Sequence, residues 1–348
     1  MKRSAIFGAA VGIALAFTLL AHNDLREIGR ILVSVGWGIL LVAAIHVSQT
    51  LFAVLGWKAL CSERGATLWV LYRIRWIRDS INTLLPVAKL GGDFVRVQMI
   101  SRRGVAPAAA ASQVMVDVSL EVATQIAFTL GAVLLLLAGS HARDATQLAL
   151  AACASGGIAV AALIGVQRLG VLKLIERLAA RGGMWRRLEI LSGLHTHVQT
   201  LYRQPRRILL SAGFHFTAWF LGTFETYAGL VLLGLHATVR EALIIEALGH
   251  AVRAAGFAIP GALGVQEGGY LVICAMFGIA PPQAIALALI HRIRELILGL
   301  PGLALWQVVG RQRPGTDATS SAGASSREDC CDPAEVTSRG RPGHEASG

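Results

Sequence analysis

The run Ile259-Pro260-Gly261-Ala262-Leu263-Gly264-Val265-Gln266-Glu267-Gly268-Gly269-Tyr270 constrains this chain most, because it sets a proline, four glycines and a carboxylate inside sequence otherwise apolar enough to sit in a bilayer. In lipid, backbone groups freed from a helix meet no water and must be satisfied by protein or by a wet cavity. Such a break marks either a capped structural turn or a site.

The break has a counterpart 174 residues earlier. Pro86 and Asp93 have the separation of Pro260 and Glu267, Gly104-Val105-Ala106-Pro107 falls in register with Gly278-Ile279-Ala280-Pro281, and the acid Glu121 maps onto Glu295. Hydrophobic residues make up 54% of the chain, so Leu and Ala coincidences carry little weight. Glycine and proline average only about 7% and 5% of residues, which gives these matches their force. The reading is an internal repeat of two hairpins, residues 68–103 and 240–279, against a chance alignment of two apolar segments.

A mean hydropathy of +0.59 with 15% charged residues fits an all-α, polytopic helical membrane protein. Spans of about 20 residues consume most of the 348. The net charge of +11 resides in loops between apolar runs, where Lys and Arg hold topology and meet anionic headgroups rather than nucleic acid. Cys61, Cys153, Cys274, Cys330 and Cys331 show no metal spacing, and no cofactor is expected.

Residues 4–21, behind Lys2 and Arg3, read as a retained first span with a cytoplasmic N-terminus rather than a cleaved signal. A second span covers 31–57. An amphipathic helix follows over 68–85, with Arg75, Arg78, Asp79 and Asn82 on one face and Leu71, Ile74, Ile77, Ile81 and Leu84 on the other; it ends at Pro86. Residues 107–138 form a long span, 146–167 a return span, 168–207 a basic amphipathic segment, 208–235 a crossing and 283–309 the last span. The second hairpin has no Lys or Arg between Ala254 and His291, which assigns it to the periplasmic side, whereas basic ends assign the first to the cytoplasm. Three spans between them invert the orientation. The expected architecture is two broken-helix re-entrant hairpins in an inverted-topology repeat, an integral membrane domain over 1–313, and a disordered cytoplasmic tail over 314–348.

The motif Pro260-Gly261-Ala262-Leu263-Gly264-Val265-Gln266-Glu267 resembles the P-x-G-G-L-G-V-x-E pattern of the flippase-like family that includes the transmembrane part of lysylphosphatidylglycerol synthases. Leu85-Pro86 through Gly91-Gly92-Asp93-Phe94-Val95-Arg96 resembles that family's other glycine motif. Ile244 through Tyr270 and Arg292 through Gly302 look like its hopanoid-biosynthesis-associated subgroup. The resemblance covers about residues 30–310. It implies a bacterial inner-membrane protein that moves an amphipathic lipid between leaflets, with membrane lipids and possible hopanoid biosynthetic enzymes as partners. The first of the family's paired glycines is Ala262 here. The synthase's soluble aminoacyl-transfer domain has no counterpart, so its enzymatic activity is not carried over.

A broken helix presents N–H groups with positive partial charge at the start of its second half, suited to an anionic headgroup. Substrate-binding candidates are Arg253, Pro260, Gly264, Glu267 and Gly268 from one hairpin and Pro86, Gly91, Gly92, Asp93 and Arg96 from the other. Arg253 is expected to hold a phosphate or to pair with Glu267. Alternatively, Glu267 only caps the orphan N–H groups beside Pro260. Asp117, Glu121 and Glu295 are proton-coupling candidates, with static pairing of Asp117 and Glu121 to Arg292 and Arg294 as the alternative. His46, His215, His250 and His291 read as interior polar residues, and Glu225 as a buried hydrogen-bonding partner. No nucleophile or metal cluster points to catalysis. The readings are a lipid transporter or flippase, a membrane enzyme on a hopanoid precursor, or a non-transporting scaffold.

Overall fold

The computed structural model describes residues 25–61, 66–85, 91–138, 193–256 and 259–311, with Ala14, Thr18, Ala154, Ile158 and Gly165 as isolated helical positions. Pro86, the segment 168–192 and the tail from 314 lie outside these residues, and so, apart from the isolated positions, do the spans expected at 4–21 and 146–167. The chain divides into two units, Met1–Val308 and Val309–Gly348, and the packing described below is that of the first.

Among the described residues the protein is helical throughout, without strands. The helices are α1 (Leu25–Val35), α2 (Gly38–Leu60), α3 (Leu68–Leu84), α4 (Gly91–Ser101), α5 (Pro107–Leu137), α6 (Leu194–Tyr202), α7 (Pro205–Leu232), α8 (Val239–Ala255), α9 (Val265–Ala275) and α10 (Pro281–Arg311). The span read over 31–57 is corrected: it is two helices, broken where Gly36 takes a φ of 49°. Only glycine adopts that backbone without steric cost. The sequence marks the break with Gly36-Trp37-Gly38, where the charged Leu25–Val35 segment gives way to the apolar α2.

Elsewhere local chemistry sets the ends. Thr67 accepts from the Val70 N–H at the start of α3, and α8 opens on a capping box in which Thr238 and Glu241 satisfy each other's backbone donors. Pro107, Pro205 and Pro281 stand at the first position of α5, α7 and α10, where a missing N–H costs nothing. Helices of 11 and 31 residues begin at Gly91 and Pro107 and again at Val265 and Pro281, 174 residues later.

Helix α2 packs along α7. A side chain at Gly38 would meet Leu232, His46 bonds Glu225, and one at Gly56 would meet His215, so numbering rises along one helix as it falls along the other. The pair is antiparallel. Helix α3 packs on α2 and α8 on α7; α4 then folds back on α3 and α9 on α8. Trp57, Leu71, Ile74, Ile100 and Val114 form the core around the first hairpin, and Leu230, Ile244, Ile245, Tyr270 and Leu287 that around the second.

The outer surface is apolar. Phe216, Phe220 and Phe224 form an exposed stripe on α7, joined by Leu130 and Leu134 on α5 and Leu296 and Leu300 on α10. Arg75, Arg96, Asp117, Glu225, Glu246, Arg294 and Glu295 are buried inside, while Arg26, Arg30, Arg102, Arg103, Arg206 and Arg240 are exposed. Helices α2 and α5 are long and apolar enough to cross a membrane. Lipid tails are as apolar as leucine, so burying aliphatic surface holds such helices together only weakly; close glycine contacts and polar ties carry the association.

Candidate functional site

The inward-facing charges surround a cavity of about 1090 Å³ with walls from α2, α3, α4, α5, α7, α8 and α10. They fall into two clusters, one beside each hairpin.

In the first, helical spacing on α3 aims Arg75, Arg78 and Asp79 at the cavity. The Arg75 guanidinium grips Glu121 through two nitrogens, at 2.6 and 3.2 Å, and Asp79 at 3.1 Å. Arg78 donates to Asp93 at 2.9 Å and Asp79 at 2.8 Å. Behind this layer Arg96, fully buried, donates to Asp117 at 2.5 Å and lies 3.7 Å over the Trp57 ring, while His215 meets the other Asp117 oxygen at 2.9 Å. A desolvated arginine on an indole gains about 2 kcal/mol, and removing one partner of a buried ion pair costs about 3–5 kcal/mol.

In the second cluster, Arg253 donates to Glu295, and Arg292 bridges Glu295 at 3.3 Å and Glu267 at 3.0 Å. Glu225 sits among Arg294, His46 and His291, and Glu246 between Thr226 and His250. The first cluster sets Arg75, Arg78 and Arg96 against Asp79, Asp93, Asp117 and Glu121. The second sets Arg253, Arg292 and Arg294 against Glu225, Glu246, Glu267 and Glu295. Each cluster thus holds three arginines and four carboxylates, with histidines adjoining.

Several expectations change. Arg253 lines the cavity, but its partner is Glu295 and not Glu267. Glu267, Gly264 and Gly268 stand behind the cavity wall: the Glu267 carboxylate accepts the Gly264 N–H at 2.7 Å, and the Gly268 N–H donates to the Gly264 carbonyl in the first turn of α9. The capping role is therefore present, and Arg292 joins it. Pro260 opens the short 3-10 turn between α8 and α9, and Pro86 lies outside the described residues. Gly91 and Gly92 start α4 away from the cavity. A side chain at Gly92 would come within 2.5 Å of the Arg78 carbonyl oxygen, and its N–H donates to Asn82 at 2.9 Å, so this glycine seats α4 on α3. Asp93 reaches the cavity and Arg96 does not.

Asp117 and Glu121 pair with Arg96, Arg75 and Arg78, not with Arg292 and Arg294, which corrects the alternative offered above. Glu121 and Glu295 both face the cavity, and each is held by two arginines. Sequence reasoning passed over Arg75, Arg78, Arg292, Arg294, His46 and Glu246 as site residues. The polar face of α3 and the Arg292-Ile293-Arg294-Glu295 run inside an apolar helix were the available signals; His46 offered none.

No curated protein and no solved structure matches the chain. The family model described as the lysylphosphatidylglycerol synthase TM region matches residues 5–302. That stretch contains both hairpins, both charge clusters and the apolar outer surface, and with it the chain belongs to the family of lysylphosphatidylglycerol synthase transmembrane regions, a lipid-related membrane protein.

Proposed function

We propose that the protein moves an amphipathic lipid between the leaflets of the bacterial inner membrane, the headgroup crossing through the charged cavity while the apolar body stays in lipid. The observation that carries this reading is a cavity of about 1090 Å³ into which charged side chains of both hairpins project, in a chain whose helices carry exposed apolar stripes. Binding pockets for small ligands measure roughly 300–1,000 Å³, so the space suits a headgroup rather than a whole lipid. Arg78 and Arg253 reach it with side chains 14% and 18% exposed, enough to meet a phosphate or a polyol.

In this reading the hairpins are an inverted repeat, supported by the recurrence of 11- and 31-residue helices at the same offset and by the antiparallel α2 and α7. Inverted repeats supply alternating access by rocking one half against the other. Neutralising Glu121 or Glu295 would leave two arginines short of a partner, so these acids serve as ion locks that exchange partners, and Asp117 as an internal tie. The likeness of Ile244 through Tyr270 to the hopanoid-associated subgroup makes a hopanoid polyol the first lipid to try, and the protein acts without chemical turnover.

The test is leaflet exchange in proteoliposomes, using fluorescent phosphatidylglycerol and a hopanoid polyol. Wild-type protein accelerates the exchange of at least one, and Arg78→Gln with Arg253→Gln slows it about tenfold, the equivalent of one lost charge-assisted contact near 1.4 kcal/mol. Wild-type vesicles indistinguishable from protein-free ones would sink the proposal.

A further inference from the structure

One carboxylate stands apart from the rest of the second cluster. Glu225, Glu267 and Glu295 each have an arginine within ion-pair distance, whereas Glu246, 2% exposed, has among the described residues only the imidazole of His250 at 3.0 Å and the hydroxyl of Thr226 at 2.5 Å. A buried carboxylate without a cation is costly. Its compensation is a proton, held on the carboxylate itself or on the imidazole beside it.

The groups around it connect into a chain. Thr226 Oγ1 lies 3.5 Å from His291 Nε2, and His291 Nδ1 lies 3.4 Å from Glu225 Oε1, an ion-pair distance at which Oε1 has no hydrogen-bond partner among the described residues. Glu225 Oε2 lies 2.9 Å from His46 Nδ1. His46 and His250, the two ends, both line the cavity, with side chains 25% and 30% exposed, while the interior members are buried. The two histidines beside Glu225 are placed ambiguously. His46 Nδ1 is 2.9 Å from both Glu225 Oε2 and Arg294 Nη1, and His291 Nδ1 is 3.4 Å from Glu225 Oε1 and 3.3 Å from Arg294 Nη2. A ring nitrogen cannot donate to the carboxylate and accept from the guanidinium at once, so each has two competing proton arrangements.

We propose that His46, Glu225, His291, Thr226, Glu246 and His250 form a binding site for one exchangeable proton, relayed between the two cavity-facing histidines. Starting from protonated His46 and ionised Glu225, Nδ1–H passes to Glu225 Oε2, the carboxyl turns over so that its protonated oxygen faces His291, and that proton passes to His291 Nδ1. His291 Nε2–H then passes to Thr226 Oγ1 as the Thr226 hydroxyl proton moves to Glu246 Oε2. The Glu246 carboxyl, protonated on the oxygen that faces Thr226, turns over in the same way and delivers that proton to His250 Nε2. His46 ends neutral and His250 protonated, and every intermediate group has regained its proton count. The other polar or charged groups facing this chain are Gln49 from α2, Trp219 from α7, Arg294 and Glu295 from α10 and Tyr270 and Cys274 from α9; on α8 itself Arg253 is engaged by Glu295. Arg294 balances Glu225, which leaves the single negative charge of Glu246 for the proton to neutralise. This site differs from Asp117, Glu121 and Glu295, whose arginines already balance them. Its use in coupling rests on the transport reading; its existence as a proton site does not.

The experiment is a pH titration of the purified full-length chain with ¹⁵N-labelled histidine, followed by NMR between about pH 5 and pH 8, where histidine changes charge. His46 and His250 are expected to share one proton, so that His250→Gln alters the titration of His46. Glu246→Gln moves the titration of His250 to lower pH, whereas Thr226→Val, which keeps every charge, leaves the equilibrium cross-effect in place. Independent titration of His46 and His250 in the wild type, or unchanged titration of His250 in Glu246→Gln, overturns the proposal; if Glu246→Gln does not fold, the effect of His250→Gln on His46 decides. In proteoliposomes, a gradient of one pH unit drives about a tenfold leaflet asymmetry of phosphatidylglycerol if one proton is coupled, and Glu246→Gln removes the response. Absence of lipid exchange counts against the transport reading alone, while the titration by itself decides whether the proton site exists.

Discussion

Ala262 shows what one residue reveals at the break. It is buried and takes a φ of 50° between Gly261 at 63° and Gly264 at 74°. An L-residue in the left-handed region costs about 1–2 kcal/mol, against about 0.5–1 kcal/mol for the extra unfolded-state freedom of glycine. Ala262→Gly is therefore expected to stabilise the protein by up to about 1 kcal/mol, and Ala262→Val, β-branched at positive φ, to destabilise it by about 2 kcal/mol or more. Thermal unfolding in detergent reads both; a glycine variant that melts below wild type would contradict the account. The departure from the family's paired glycines was visible in the sequence, but the strain was not, because only the backbone shows which angle the position must take. Asp93 and Glu267 teach the same lesson. Their common register was legible, yet Asp93 binds Arg78 while Glu267 caps Gly264 and takes Arg292.

At the scale of elements, the first hairpin is held to α10 by small residues and one indole. A side chain at Gly302 would come within 3.1 Å of Trp76, one at Gly299 would meet Leu84, and Trp76 Nε1 donates to the Leu298 carbonyl at 2.7 Å. Pro301, inside α10, leaves the carbonyl one turn earlier without its helical donor and loosens this turn. Gly302→Leu is expected to push α3 off α10 and cost about 1–3 kcal/mol, the usual range for overpacking, with partial rescue by Ser80→Gly, since the Ser80 side chain lies nearest. Equal unfolding midpoints for Gly302→Leu and wild type would show that the helices do not depend on this contact. Helix boundaries were largely readable: α3 was expected over 68–85 and is Leu68–Leu84, and α5 over 107–138 and is Pro107–Leu137. Proline placement and hydrophobic period are local signals. The pairing of Arg253 with Glu295 was not readable, because it depends on how α8 and α10 register in space; sequence proximity pointed instead to Glu267.

For the whole molecule, charge balance and hairpin geometry make the same demand. Each half nearly neutralises itself, so a half can shift as a body without stranding a charge in lipid, a cost of several kcal/mol per ion. What must change in such a shift are the ties between the halves: His46 with Glu225, His215 with Asp117, Trp76 with the Leu298 carbonyl, and the contact between the hairpin tips. A side chain at Gly261, in the turn of the second hairpin, would lie 3.8 Å from the Thr83 carbonyl oxygen near the end of α3 in the first, and 3.5 Å from Arg292. If alternating access is how the lipid crosses, the tips must part once per cycle. Joining them through Thr83→Cys and Gly261→Cys with a short, cleavable bis-maleimide is then expected to stop leaflet exchange, and cleavage of the linker to restore it. The cysteine at position 261 carries the left-handed penalty of about 1–2 kcal/mol, so the unlinked double variant is the reference rather than wild type. On the transport reading, cross-linked protein that exchanges lipid as fast as this reference would mean that a headgroup crosses the cavity without the halves moving, and the two hairpins would then form a fixed conduit.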